Sequence, residues 1–264
     1  MSSIAFDSQN HSTNTGFGTT LSFTVGAGSN RMLIVAVYEA TPAVNTATVT
    51  YNSVAMTKIG QQIDSDRAIS LWYLIAPTSG THTVALTGSG SYTIAILAES
   101  YSGVNQVAPE ASNTATVASA STISASVTTI SDESWLVACF VGNAVTLSAG
   151  TNTTFRATEL TAIVAIGDSN AAQTPAGSYS LAANATGSNN MGMVIASLKA
   201  ASMVTTLSDS LAMGSLDTLI QVYGFLQTLS DSLAMGSLDA IKSIYGWAKQ
   251  VKSAAQNWID QQKS

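Results

Sequence analysis

Positive charge is scarce in this sequence. Only nine of the 264 residues are Lys or Arg, and with fifteen Asp and Glu the net charge is −6. The cations are scattered, at Arg31, Lys58, Arg67, Arg156, Lys199, Lys242, Lys249, Lys252 and Lys263. Sequence-independent nucleic-acid binding needs clustered cations to displace phosphate counterions, so that class is excluded. Cysteine occurs once, as Cys139 in "SWLVACFVG", and a single thiol makes no internal disulfide. His11 and His82 are the only histidines, too few, even with that thiol, for a zinc site of ordinary ligand count. No apolar run approaches the ~18–20 residues of a membrane-spanning helix. The opening "MSSIAFDSQN" lacks the basic and apolar regions of a secretory signal.

Apolar residues, by contrast, are plentiful. They make up 46 % of the chain, enough for a sizeable core. Charged residues are 9 % against roughly 25 % in an ordinary globular protein, with Ser, Thr, Ala, Gly and Asn in their place. Such a neutral surface suits life outside the cytoplasm or inside a large assembly. A virion protein, made in the host cytoplasm and released by lysis, combines that surface with the missing export signal; a mature secreted protein also fits.

Up to about residue 200 the hydrophobic period is two. Strands are expected at 21–25, 31–39, 46–51, 68–76, 81–86, 92–100, 123–129, 134–141, 161–167, 178–183 and 191–199, where β-branched and aromatic runs are bounded by Gly, Ser, Asn or Asp. "TATVTYNSVAMTKI" predicts a hairpin turning at Asn52-Ser53, where Asn tolerates positive φ. In "AISLWYLIA", Ile69, Leu71, Tyr73 and Ile75 share one face and Trp72 and Leu74 the other, which predicts a central strand. The Ala/Ser/Thr-rich stretch 108–126 is expected to be a long crossover between sheets. So many strands with no helix between them predict a mainly β fold, an antiparallel sandwich or barrel.

The blocks "IAFDS", "GSNRMLIVAVYE", "VTYNSVAMTKIG", "SLWYLIAPTSGTHTVALT", "ESYSGVNQVAP" and "MGMVIASLKAAS" resemble, in kind and order, a jelly-roll-like β-sandwich domain. That domain recurs in bacteriophage structural proteins (decoration, fibre, tail) and some secreted bacterial proteins. The resemblance covers roughly residues 3–200 and implies decoration, fibre or adhesion roles with no catalytic set and no cofactor.

Other motifs carry less. Gly167-Asp168-Ser169 after a strand resembles the nucleophile block of GDS-type esterases, but both histidines lie upstream and no α/β alternation surrounds it. A strand-end turn, with Asp and Ser capping backbone groups, is expected instead. Asp64 and Asp66 are alternate acids without the Gly and distant Glu of a calcium loop, and a solvated loop is expected. Trp72 and Trp135 are expected in the core, His82 in a strand and His11 in a solvated N-terminal loop.

The C-terminal stretch departs from all this. "TLSDSLAMGSLDTLIQVYGFLQ" (206–227) is followed by "TLSDSLAMGSLDAIKSIYGWAK" (228–249), a tandem repeat of 22 residues. Here the period becomes helical. Ile241, Ile244, Trp247, Val251 and Trp258 fall on one arc, with Lys242, Lys249 and Lys252 on another. In the first copy Leu219, Val222, Phe225 and Leu226, with Ile220 in place of Lys242, make a helix apolar nearly all round, and such a helix must be buried. The expected organisation is a jelly-roll-like sandwich over 1–200 and a helical assembly segment over 201–264. These nine apolar residues of the two arcs are the candidate assembly interface. A homo-oligomer, trimer favoured, meeting other virion proteins is the expected partner set, with no membrane, nucleic acid, metal or cofactor. The function expected is a non-enzymatic bacteriophage virion component, a head decoration, cement or fibre protein. The alternative is a carbohydrate-binding adhesion module.

Overall fold

The computed structural model describes residues 4–201 except positions 44, 65, 144 and 162. Among them all extended regular structure is antiparallel strand. The first sheet runs β1-β9-β3-β7-β6, built from Ala5–Thr15, Thr93–Ser102, Met32–Glu39, Ala68–Ile75 and Thr57–Ile63. A second sheet runs β2-β8-β4-β5, from Thr20–Val25, Gly80–Gly88, Thr46–Tyr51 and Val54–Ala55. The third runs β10-β15-β11-β14-β13, from Ala111–Thr128, Ser178–Leu198, Trp135–Gly142, Val164–Asp168 and Thr154–Glu159, with β12 (Leu147–Ala149) also paired to β15.

Side-chain parity explains how these sheets stack. In β2 Leu21, Phe23 and Val25 are buried while Thr20, Ser22 and Thr24 are exposed, so that sheet packs by one face. β3, β9 and β11 are buried along almost their whole length, as strands covered on both faces must be. Leu33, Val35, Ile96, Trp72, Tyr51 and Phe23 form the core between the first and second sheets. Ile34, Leu71, Leu97, Val137, Cys139 and Val194 form another between the first and third. β7 divides as its alternation predicts, with Ile69, Leu71, Tyr73 and Ile75 facing the latter core and Trp72 and Leu74 the former. The predicted hairpin turn is present too, with Asn52 and Ser53 at φ of 49° and 64°.

The stretch 108–126 corrects the expectation of a crossover: it holds most of β10. Ala111–Val117 pairs with Ser197–Met191, the register breaks, and Thr122–Thr128 then pairs with Asn184–Ser178. Ile123, Val127 and Leu181 from beyond the break share a core with Leu136, Phe140 and Met193. The long β10/β15 ribbon therefore folds back over the third sheet and supplies its second layer. So the described residues form two sandwiches rather than one.

The two have the same connectivity. β1-β9-β3-β7-β6 corresponds to the first part of β10, the second part of β15, then β11-β14-β13; β2-β8-β4 corresponds to the rest of β10, the rest of β15 and β12. Details recur as well. A bulge between Lys58 and Gly60 has its counterpart between Phe155 and Ala157. Asn10 Nδ2 donates to the Ser22 carbonyl at 2.8 Å, and Asn113 Nδ2 to the Ser126 carbonyl at 2.9 Å. The sandwiches meet through their first and third sheets in largely reciprocal fashion: β1 lies on β13 and β6 on β10, while β9 lies on β13 and β14 and β6 and β7 on β15; β7 also lies on β11. Apart from that last contact, this is the self-complementary pattern of a two-fold dimer, here within one chain.

Candidate functional site: an acid cluster between the sandwiches

On β9, Ala95, Leu97 and Tyr101 face the core shared by the sandwiches, and the period of two puts Glu99 there with them. A lone acid in that row is unusual. Glu99, Tyr101 and Asp168 are all fully buried. Asp168 ends β14, and Arg156 reaches it from the bulge in β13. Arg156 grips the carboxylate at two points, Nε to Oδ2 at 2.8 Å and Nη2 to Oδ1 at 3.0 Å. The Tyr101 hydroxyl donates to Asp168 Oδ2 at 2.7 Å, and the Asn170 amide to Oδ1 at 2.9 Å. Arg156 also donates to Asn170 Oδ1 at 2.8 Å, and its guanidinium lies 4.1 Å from the centroid of the Phe6 ring. Phe6 and Trp135 both set their rings edge-on to Tyr101.

The electrostatics follow from this geometry. Burial, and then the Asp168 charge, push Glu99 well above the usual carboxyl range, against smaller opposing effects of Tyr101 and Arg156. Tyr101 stands close enough to Glu99 to interact with it. Its one proton goes to Asp168, however, and neither Glu99 oxygen has a hydrogen-bond partner of normal geometry among the described residues. Burial likewise raises the Tyr101 phenol, with Glu99 and Asp168 adding to it. Burial also raises the Cys139 thiol, with Glu99 contributing. A thiol so placed is inert as a nucleophile. Buried acid, phenol, carboxylate and guanidinium together can hold or release a proton; Glu99, Tyr101 and Asp168 expose no surface to a substrate.

The equivalent position at the other end of the shared core is different. Met32 pairs with Tyr101 as Trp135 pairs with Leu198, so Ala196 and Leu198 stand where Glu99 and Tyr101 do. By the same register Tyr73 stands for Asp168, and the bulged Ile59 for Arg156. All four pack in the shared core.

No protein-family model matches the chain, and no curated protein matches it in sequence.

The residues singled out from sequence fall as follows. Leu219, Val222, Phe225, Leu226, Ile241, Ile244, Trp247, Val251 and Trp258, with the tandem repeat, lie outside the described residues. Ser169 closes a strand-end turn: its hydroxyl accepts the Leu136 amide at 3.2 Å and donates to the Ala171 carbonyl at 2.8 Å. Asp168 caps backbone as expected, but its burial and its ion pair were not anticipated. His11 corrects an expectation, since it lies in β1, not a loop, and bonds Glu159 at 2.7 Å. His82 lies in β8, edge-on to Tyr51.

Asp64 is buried rather than solvated. Its Oδ1 accepts the Arg67 amide at 3.2 Å, and burial, against the pull of Arg67, raises its pKa to about 6. Asp66 binds Arg67 Nη1 at 2.8 Å and the Asn143 amide group at 3.1 Å. Among the described residues no group of three or more His, Cys, Asp or Glu side chains is placed to hold a metal ion.

The acid cluster was missed from sequence, although a signal was present. In "YTIAILAESYSG" Glu99 is the one charged residue, at the same parity as Leu97 and Tyr101.

Proposed function

We propose that this chain is a non-enzymatic structural protein of a bacteriophage particle, of head-decoration, cement or fibre type. The observation that carries the proposal is the strand order. β1-β9-β3-β7 facing β2-β8-β4-β5 follows the order of a jelly roll, an architecture of viral capsid and lectin domains. Its recurrence in the second sandwich supports a part built for bulk and rigidity. The surface favours the capsid side of that pair. β2, β4, β5, β8, β10, β12 and β15 contain no Lys, Arg, Asp or Glu, and Thr or Ser occupies most of their exposed positions. Sugar binding calls for exposed aromatic platforms, whereas Trp72 and Trp135 are buried, and the exposed large hydrophobic residues described are Val54, Val107 and Ile130.

Assembly is assigned to a helical segment over 201–264, on the sequence period of its repeats. Burial of the Phe225 and Trp247 arcs between copies would give a homo-oligomer, a trimer by preference. Mass spectrometry of density-purified phage particles carrying this gene tests the proposal. The chain should appear in many copies per particle. Its absence from particles, together with retention on a glycan array, would replace the structural role with the adhesion one.

A further inference from the structure

We propose that the Glu99 cluster is a proton-dependent clamp between the two sandwiches, closed while Glu99 is a neutral acid and loosened when it ionises. Position is the first ground. Glu99 projects from β9 of the first sandwich into the shared core. Asp168 of β14, Arg156 of β13 and Cys139 of β11 from the second, and Tyr101 on its own strand, lie near enough to interact with it electrostatically. Partnering is the second. The described donors nearest Glu99 are already engaged, the Tyr101 hydroxyl by Asp168 and the Arg156 guanidinium by Asp168 and Asn170. An ionised Glu99 therefore has no donor of normal geometry among the described residues, and it sits beside a second negative charge. An uncompensated charge in such surroundings is strongly unfavourable.

The other end of the interface supplies the third ground. Ala196, Leu198, Ile59 and Tyr73 fill the equivalent places, so packing alone does not require an acid there. With Glu99 neutral, Arg156 and Asp168 cancel and the cluster carries no net charge. With Glu99 ionised it carries one negative charge, and neither Tyr101 nor Cys139 can offset that. His11 and Glu159, which join β1 to β13, are bonded to each other.

The direction of the pH effect follows from linkage. Closed, Glu99 keeps its proton well above the ordinary carboxyl value of 4.5; opened to water, it recovers that value. The clamp is therefore fully effective below the ordinary value. Above it, opening grows about tenfold per pH unit until the closed form also ionises.

Cys139 offers an internal reporter, as the chain's one thiol, fully buried in the same core. The full-length protein would be treated with iodoacetamide from about pH 5 to about pH 8, a range over which a freed thiol itself ionises about tenfold more per unit. Wild type should then react about 100-fold faster per pH unit and Glu99→Gln about tenfold faster per unit. Glu99→Ala, which copies Ala196, should behave like Glu99→Gln and replaces it if the amide does not fold. Equal slopes in wild type and variant would overturn the clamp. Hydrogen exchange on β2 and β12, away from the shared core, separates clamp opening from unfolding. Their protection should persist where Cys139 reacts, and its simultaneous loss would also overturn the proposal.

Discussion

Asp168 shows how much one side chain can organise. Four hydrogen bonds converge on it, two of them from Arg156. Removing the carboxylate leaves a largely buried guanidinium without its counter-charge, a change that typically costs about 3–5 kcal/mol. Asp168→Ala should lower the urea midpoint accordingly. A loss under 1 kcal/mol would mean that Asn170 and water suffice for Arg156. Asp64 makes a second residue-scale case, of opposite sense. Its folded-state pKa, near 6, lies above the ordinary 3.8. The group therefore favours the folded state at low pH, and that contribution fades as pH rises through about 6. Asp64→Asn, measured by thermal melts at several pH values, should gain stability relative to wild type as pH rises from 4 to 7. A constant difference between the two proteins would contradict that environment.

Among elements, the hairpin of β4 and β5 offers the sharpest test. Asn52 and Ser53 both hold positive φ, the geometry that favours Asn-Gly in a two-residue turn. Ser53→Gly should relieve the left-handed strain on a residue with a Cβ and raise stability by up to about 1 kcal/mol, read as a small rise in Tm. The same turn was legible in the sequence, as was the two-sided burial of β7, because both depend on local chemistry or strict alternation. The first half of β10 was not legible, whereas its second half falls within the strand expected at 123–129. β10 is an edge strand whose first half is largely exposed on both faces, so no hydrophobic period marks that half. Only Ile123, Ala125 and Val127, beyond the register break, are buried. Glu99 hid for a different reason: parity places it in the core, but one acid in an apolar strand forms no motif, and its partners Arg156 and Asp168 are far away in sequence. The agreement of Trp72 and Trp135 with a core location came more easily, since large aromatic side chains are highly buried on average.

At the scale of the whole chain, the core shared by the first and third sheets should make the two sandwiches unfold together at low pH, where Glu99 is neutral and the clamp closed. Calorimetry on a protein ending at residue 201 should give one transition, with equal van't Hoff and calorimetric enthalpies. Two resolved transitions would show that the shared core couples the halves weakly. The repeat beyond it carries the proposed assembly surface. Phe225→Ala with Trp247→Ala in the full chain should reduce the mass seen by light scattering and leave the β-type circular dichroism intact. An unchanged mass would remove those two rings from the interface.

A pair of identical subunits about a two-fold axis writes every substitution twice. An acid introduced at one end of their interface appears at the other, and its desolvation cost doubles. Joining the halves in one chain lifts that constraint. Each end can then mutate alone, so one is free to stay greasy and anchor the pair while the other explores ionisable chemistry. Glu99 at one end and Ala196 at the other make a difference that a dimer of identical subunits could not hold.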